Sequence, residues 1–309
     1  MNLNPSTQIN LFEHKETFNQ LYKLSKKDIL PNKILLSGEK GIGKSTLAYH
    51  LINFVLSEND EHPYDYENNK INPDNKSYKL ILNKSNPNFY LIDVLEEKRN
   101  IDINQIRELI INLNKSSFNN KKRFVLIDNI ELLNLNSING LLKILEEPNK
   151  NINFILINNN KRVLPTLKSR CLNFKVFLTK DQSIKIFNQL LENDMNTIIN
   201  NKLFDYYATP GKLFKLIKLS EEYDLDIVNF DLNSTLKTLI KNKIYKKDKS
   251  IIEIIYSFIE LYFRNNISIE NISLLRSYHY FLEKINNTRT YNLDEETLFM
   301  EFEDKILNG

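Results

Sequence analysis

The clearest chemical signal lies in LLSGEKGIGKST, residues 35–46. This stretch satisfies the pattern G-x-x-x-x-G-K-[ST], in which backbone N–H groups between a strand and a helix point at phosphate oxygens, the lysine reaches the phosphates and the hydroxyl contacts Mg²⁺. Only 6 glycines occur in the 309 residues, and half of them lie in this loop, which argues against a chance match. The predicted nucleotide-binding residues are Gly38, Gly41, Gly43, Lys44, Ser45 and Thr46.

A carboxylate for the metal is expected at the end of a neighbouring strand, and RFVLIDN, residues 123–129, supplies Asp128 there. Ser45 and Asp128 are therefore the predicted Mg²⁺ residues. The next position holds Asn129, and an amide cannot accept the proton of an attacking water. Loss of a general base costs about two to four orders of magnitude in rate. The sequence predicts binding of ATP or ADP with Mg²⁺ and little hydrolysis; spacing alone does not place Glu131 as a substitute base.

A polar residue that senses the nucleotide is expected at the end of the next apolar run. The segment INNN, residues 157–160, offers Asn158 or Asn159. Spacing does not separate these two residues, and Asn158 is taken as the candidate contact.

Strands and helices that could position these residues alternate through the first half of the chain. Four short apolar runs, mostly continuous in Ile, Leu, Val and Phe, are typical of strands in a parallel sheet that is covered on both faces. Helical patterns follow the loop from Ser45 and recur at 102–117 and 136–148, where Pro148 ends the pattern. Residues 57–87 are polar and are expected to be irregular. The four runs are residues 33–38, 88–94, 123–129 and 153–159.

The predicted fold class is an α/β P-loop domain with a mainly parallel sheet, followed by helical domains. Strand signals stop after residue 178, and the segment YATPGKL, residues 207–213, interrupts the helical pattern that follows. We predict a nucleotide-binding domain over residues 1–177, a small helical lid domain over 178–222 and an all-helical C-terminal domain over 223–309.

Composition restricts the function further. The net charge of +3 is too balanced to indicate nucleic-acid binding by the whole surface. Cys171 is the single cysteine, which excludes a multi-cysteine zinc site within this chain and suits a reducing cytoplasm. The N-terminal residues lack the features of a signal peptide. The most hydrophobic segment, residues 251–263, is too short to span a bilayer and is expected to be a buried helix. The 4 histidines have no metal-ligand spacing.

The stretch SINGLLKILEEPNKNINFILINNNKRVLPTLKSRC, residues 137–171, resembles the AAA+ clamp-loader family of bacterial DNA polymerase III. The resemblance covers the α/β domain strongly and continues more weakly to the C-terminus. It implies that Arg170 faces the nucleotide of an adjacent subunit in trans, where a guanidinium stabilises the transferring phosphoryl group. It also implies a cytoplasmic hetero-oligomer with other clamp-loader subunits of the gamma/tau and delta types, which acts on a sliding clamp and on primed DNA through the complex. The C-terminal helices would form an oligomerisation collar.

Three departures from the motor subunits of that family indicate a member that holds nucleotide without rapid turnover. The four-cysteine zinc module is missing, Asn129 replaces the catalytic glutamate, and Gly211 stands where motor subunits carry a lid arginine. Two alternatives stay open: a hydrolysing motor subunit of the same assembly, and a P-loop kinase that acts on a small molecule.

Overall fold

The computed structural model describes residues 4–95, 98, 100–115, 121–146, 151–161, 163–191, 198–200, 209–229, 231–248, 251–267, 272–291 and 293–308. The chain divides into two compact units. The first unit comprises Met1–Ile186 and Thr209–Lys212, and the second comprises Phe187–Ala208 and Leu213–Gly309. The three domain boundaries expected from the sequence stay a prediction beside this division.

A parallel sheet of five strands forms the centre of the first unit, in the order β2-β3-β4-β1-β5. All residues of β3 and β4 are buried, as expected for strands with helices on both faces. The four predicted runs are confirmed as strands, and β5 is an additional, partly exposed strand that pairs with β1 at the edge of the sheet. The strands are β1 (Lys33–Ser37), β2 (Phe89–Ile92), β3 (Arg123–Ile127), β4 (Ile152–Asn158) and β5 (Leu172–Lys175).

Helices connect these strands. The predicted helices after the loop and around residues 102–117 and 136–148 are confirmed, although the expected end at Pro148 lies outside the described residues. The segment expected to be irregular contains a short helix at residues 76–82, because Asn75 caps it and Tyr78 and Ile81 are buried on one face. The helices that begin in the first unit are α1 (Lys15–Lys26), α2 (Lys44–Leu56), α3 (Lys76–Leu82), α4 (Ile103–Asn114), α5 (Leu135–Glu146), α6 (Pro165–Lys168), α7 (Lys180–Leu191) and α8 (Pro210–Tyr223).

The described part of the second unit is helical. The most hydrophobic segment, residues 251–263, lies in a helix that buries six apolar or aromatic side chains, as predicted. Phe263, Phe281 and Phe302 pack with ring centroids 5.2–5.9 Å apart in the core of this unit. Its further helices are α9 (Leu232–Lys241), α10 (Ile244–Lys247), α11 (Ile252–Asn266), α12 (Ile272–Tyr291) and α13 (Glu295–Phe302), which a π-helical turn follows at Glu303–Leu307.

Within the described residues, the structure contains no helix that is both long and apolar enough to cross a lipid bilayer. The predicted fold class, an α/β P-loop domain with a parallel sheet followed by helices, is confirmed by the sheet order and the helical C-terminal part.

Candidate nucleotide-binding site

The glycine-rich loop connects the end of β1 to the start of α2. Gly41 and Gly43 have φ angles of 87° and 92°, which side chains other than glycine rarely adopt. Gly38 is required for a different reason, because a Cβ there would lie 2.1 Å from the carbonyl oxygen of Val176. Gly43 is the N-cap of α2 and provides no side-chain cap, so the first N–H groups of this helix receive no capping side chain. This arrangement is the one that binds phosphate in P-loop proteins.

Lys44 follows the loop and is 3% exposed. Its Nζ donates hydrogen bonds to the carbonyl oxygens of Gly38 (2.9 Å) and Glu39 (2.5 Å) and to Oδ1 of Asn159 (2.9 Å). These three bonds use all three protons of the ammonium group. Desolvation lowers the pKa of Lys44 to about 8, against the opposing effect of the Asp128 and Glu131 carboxylates. A charged ammonium is therefore held in the loop at neutral pH.

Ser45 and Asp128 form the candidate metal site. The Ser45 hydroxyl donates to Oδ2 of Asp128 at 2.5 Å, and the Asn129 N–H donates to Oδ1 of Asp128 at 2.8 Å. Desolvation raises the pKa of the Asp128 carboxyl, and the nearby Asp93 acts in the same direction.

A hydroxyl and a carboxylate at this distance fit Mg²⁺, which takes few protein oxygens and completes its coordination with phosphate and water. No cluster of three or more His, Cys, Asp or Glu residues suited to a metal occurs among the residues that the structure describes. The charge of the bound phosphates would be met here by Lys44 and by the metal. Thr46 is half-buried in the first turn of α2, next to these groups.

Asn129 lies directly after Asp128, with a φ of 54°. Its Nδ2 donates to Oδ1 of Asp93 at 2.8 Å, and its Oδ1 accepts a bond of 2.8 Å from Nδ2 of Asn159. Both ends of the amide are thus engaged by the protein. The left-handed conformation suits an asparagine, and it starts the 3-10 turn Ile130–Leu132, which turns Glu131 toward Asn159.

The two asparagines at the end of β4 occupy different environments. Nδ2 of Asn158 donates to the carbonyl oxygen of Lys161, at 3.0 Å. Asn159 instead contacts Lys44 with Oδ1, while its Nδ2 donates to Glu131 Oε1 at 2.9 Å. Asn159 is therefore the residue of the pair that the structure brings to the loop. A nucleotide contact by Asn158 stays a prediction.

Arg170 follows α6, at a distance along the chain from the loop. Its NH2 pairs with Oε1 of Glu146 at 2.6 Å, its NH1 donates to the carbonyl oxygen of Thr166 at 2.7 Å, and its side chain is 31% exposed. The guanidinium is thus held at the surface of the first unit by its own chain. Burial raises the pKa of the neighbouring Cys171 thiol to about 11, which leaves it unreactive at neutral pH.

Sequence reasoning missed several residues that contact the loop or its network. Asp93, which accepts from Asn129, directly follows β2. It was predictable, because polar residues that follow parallel strands lie together at one edge of the sheet. His14 contacts the carbonyl oxygen of Ile42, and Thr209 contacts that of Lys40. The partners in these two contacts are 28 and 169 residues apart in sequence, and no local pattern marks them.

The sheet, the glycine loop, the buried lysine and the Ser–Asp pair define a P-loop protein of the α/β class. The family model described as "DNA polymerase III, delta subunit" matches residues 13–179, more than half of the chain. The chain belongs to this DNA polymerase III delta-subunit family.

Two of the similar proteins carry different subunit names. The chain is 30% identical over 138 residues to the DNA polymerase III subunit delta-prime of Pseudomonas aeruginosa. The aligned region covers 44% of this chain and 40% of that protein. It is 32% identical over 146 residues to the DNA polymerase III subunit gamma of Buchnera aphidicola subsp. Schizaphis graminum. This aligned region covers 46% of the chain and 40% of the gamma subunit. The matched region thus spans about two fifths of the length of each relative.

Among solved structures, a DNA polymerase III gamma subunit-related protein from Thermotoga maritima is 20% identical, with a TM-score of 0.47. The likeness covers 91% of this chain and 96% of that one.

Proposed function

We propose that this chain is a delta-prime-like subunit of a bacterial DNA polymerase III clamp loader. It binds ATP or ADP with Mg²⁺ in the glycine loop, hydrolyses it slowly or not at all, and supplies Arg170 to the ATP site of a neighbouring subunit. The family match and the similarity to delta-prime and gamma subunits support the assembly. The partners proposed are gamma/tau and delta subunits, the sliding clamp and, through the complex, primed DNA.

One observation carries the proposal: the residue after Asp128 is Asn129, whose amide is not basic enough to take a proton from water. Its Oδ1 accepts from Asn159 and its Nδ2 donates to Asp93. An amide has no proton-accepting group of useful basicity, and here its orientation is also fixed by two bonds. Binding of nucleotide needs the loop, Lys44, Ser45 and Asp128, all of which are retained. Retention of the site without the base supports a static nucleotide.

The position of Arg170 is compatible with a role in trans. Its guanidinium is partly exposed and is held by Glu146 and the carbonyl of Thr166. A guanidinium that is fixed before assembly loses little conformational freedom when it meets a neighbour's phosphates. The ion pair with Glu146 is solvent-accessible and is worth at most about 1 kcal/mol, so a triphosphate could compete for the guanidinium.

A second candidate is a hydrolysing motor subunit, which the geometry of Glu131 favours. The turn after Asn129 brings this carboxylate to Asn159, which in turn contacts Lys44. Glu131 could then act as a base from a position two residues later than usual. The variant Glu131→Gln distinguishes the candidates, because it abolishes turnover by a motor and leaves the rate of a static subunit unchanged.

The test of the proposal is ATP hydrolysis by the reconstituted assembly. Arg170→Ala is expected to lower the rate at the site that this arginine completes by about 10³-fold or more, while the isolated variant keeps its thermal stability within about 1 kcal/mol. Arg289→Ala is the matched control, because Arg289 also forms a solvent-accessible pair with a glutamate, Glu253, at 2.7 Å. Equal rates for the Arg170→Ala and Arg289→Ala assemblies would contradict the role in trans.

A further inference from the structure

Five successive carbonyl groups of the glycine loop accept hydrogen bonds, two from within the loop segment and three from other parts of the first unit. Lys44 contacts the first two carbonyls from within the same segment. The next three are contacted by residues outside the loop: Lys40 O accepts from Thr209 Oγ1 (2.8 Å), Gly41 O accepts from Gly211 N (2.9 Å) and Ile42 O accepts from His14 Nε2 (2.5 Å).

These contacts determine where the loop N–H groups point. A trans peptide unit directs its C=O and its N–H in opposite directions. A donor that holds the Ile42 carbonyl on the outside of the loop therefore aims the Gly43 N–H at the inside. Inward N–H groups of successive residues form the concave surface that binds anions. The external donors thus prepare the loop for phosphate before any ligand arrives.

We propose that His14 is a positioning residue of the nucleotide site, which aims the Gly43 N–H at phosphate by holding the Ile42 carbonyl. This inference rests on the proposed function, because it assumes that the loop binds nucleotide. A carbonyl oxygen only accepts, so Nε2 of His14 carries the proton in this contact. Desolvation by burial lowers the pKa of His14, which keeps the imidazole neutral at neutral pH.

The surroundings of His14 fit this role. The residue is 5% exposed and is the N-cap of α1, where its own carbonyl accepts from the Phe18 N–H at 2.9 Å. Its ring lies against Gly43: a Cβ at that glycine would be 3.3 Å from Nε2 and 3.6 Å from Cδ2. Gly43 therefore permits both the positive φ and the approach of the imidazole. A helix and a glycine together fix the direction of the donor.

A second buried histidine shows what a purely structural role looks like in this chain. His50 is fully buried, on α2, and contacts Tyr64 OH at 2.9 Å and the carbonyl oxygen of Gln8 at 3.1 Å. Neither partner belongs to the glycine loop. A substitution at His50 should lower stability without a specific effect on phosphate binding, which makes it a matched control.

The test uses two amides that differ by one methylene group. Gln places its amide nitrogen, Nε2, near the position of the imidazole Nε2, so His14→Gln should retain the bond to Ile42 O. His14→Asn is too short to reach that oxygen, yet asparagine is a favoured N-cap, so α1 should still fold. The dissociation constants of ADP and of ATP–Mg²⁺ are measured by calorimetry for both variants, for His50→Asn and for the unsubstituted chain, alongside the thermal midpoint of each.

We expect His14→Asn to weaken ADP binding by about 10- to 100-fold, the loss that follows when one hydrogen bond to a charged group is misdirected. His14→Gln should bind within about threefold of the unsubstituted chain, and His50→Asn should lower the thermal midpoint with a similar dissociation constant.

Two results would overturn the inference alone: nucleotide affinity of folded His14→Asn equal to that of the unsubstituted chain, or an equal loss in His50→Asn. Absence of nucleotide binding by the unsubstituted chain would instead reject the proposed nucleotide site, and the inference with it.

Discussion

The lowered pKa of Lys44 predicts that nucleotide affinity falls as the pH rises above about 8. Lys44 is 3% exposed, and desolvation lowers the pKa of its ammonium group to about 8. Polyphosphate binds the charged form, because the interaction is between opposite charges. Below pH 8 the proton is already present. Above pH 8 most free molecules carry a neutral amine, so binding must be accompanied by uptake of a proton.

The size of the effect follows from this pKa. Each pH unit above 8 should weaken binding by about tenfold, so the Kd of ADP should rise about thirtyfold between pH 7 and pH 9.5. The stability of the nucleotide-free chain should change in the opposite direction. The folded-state pKa lies below the unfolded value of about 10.4, so the folded state binds fewer protons and becomes more stable as pH rises from about 8 to 10.4.

The assay is titration with ADP at pH 7, 8, 9 and 9.5 in buffers of equal ionic strength. The terminal phosphate loses its last proton near pH 6, so the ligand does not titrate in this range. Lys44→Arg is the control, because a guanidinium stays charged throughout. Its affinity should be lower but independent of pH. A constant Kd for the unsubstituted chain from pH 7 to 9.5 would refute the account of a desolvated Lys44.

Two further substitutions test the loop and the missing base. Gly41→Ala should lower the free energy of unfolding by about 1–3 kcal/mol, as measured by urea denaturation, because φ is 87° and the new Cβ would lie 2.7 Å from Thr209 Oγ1; an unchanged midpoint would contradict the rigid loop. Asn129→Glu should raise ATP turnover by about 10²-fold or more through the added base, at a cost of about 1 kcal/mol for a φ of 54°. Phosphate release measures this, and an unchanged rate in the folded variant would show that Asn129 is not what limits hydrolysis.

The parts of the fold that depend on local pattern were predicted from the sequence. The glycine loop, the strands β1 to β4 and the α4 and α5 helices follow from spacing and continuous apolar runs. The strand at Leu172–Lys175 was missed, because four residues with two exposed positions carry little hydrophobic signal. The helix at Lys76–Leu82 was missed because it is short and lies within a polar segment, although its Asn75 cap is a recognisable start.

The candidate site was predictable only in part. Asp128 follows from its place after a buried strand, and the structure brings it to Ser45. The choice between Asn158 and Asn159 could not be made, because successive residues at a strand end point in opposite directions and either could face the loop. The contacts of His14, Thr209 and Gly211 with the loop depend on tertiary packing, which no short pattern encodes.

The most direct test of the central claim is a single-turnover experiment in which the isolated chain is in excess over ATP and Mg²⁺ is supplied at a saturating concentration. The account predicts that ATP binds and is recovered unhydrolysed after many minutes, since the site holds nucleotide without a base to activate water. Conversion of the bound ATP to ADP at about 1 s⁻¹ or faster, a rate within the usual range for enzymes, would contradict it.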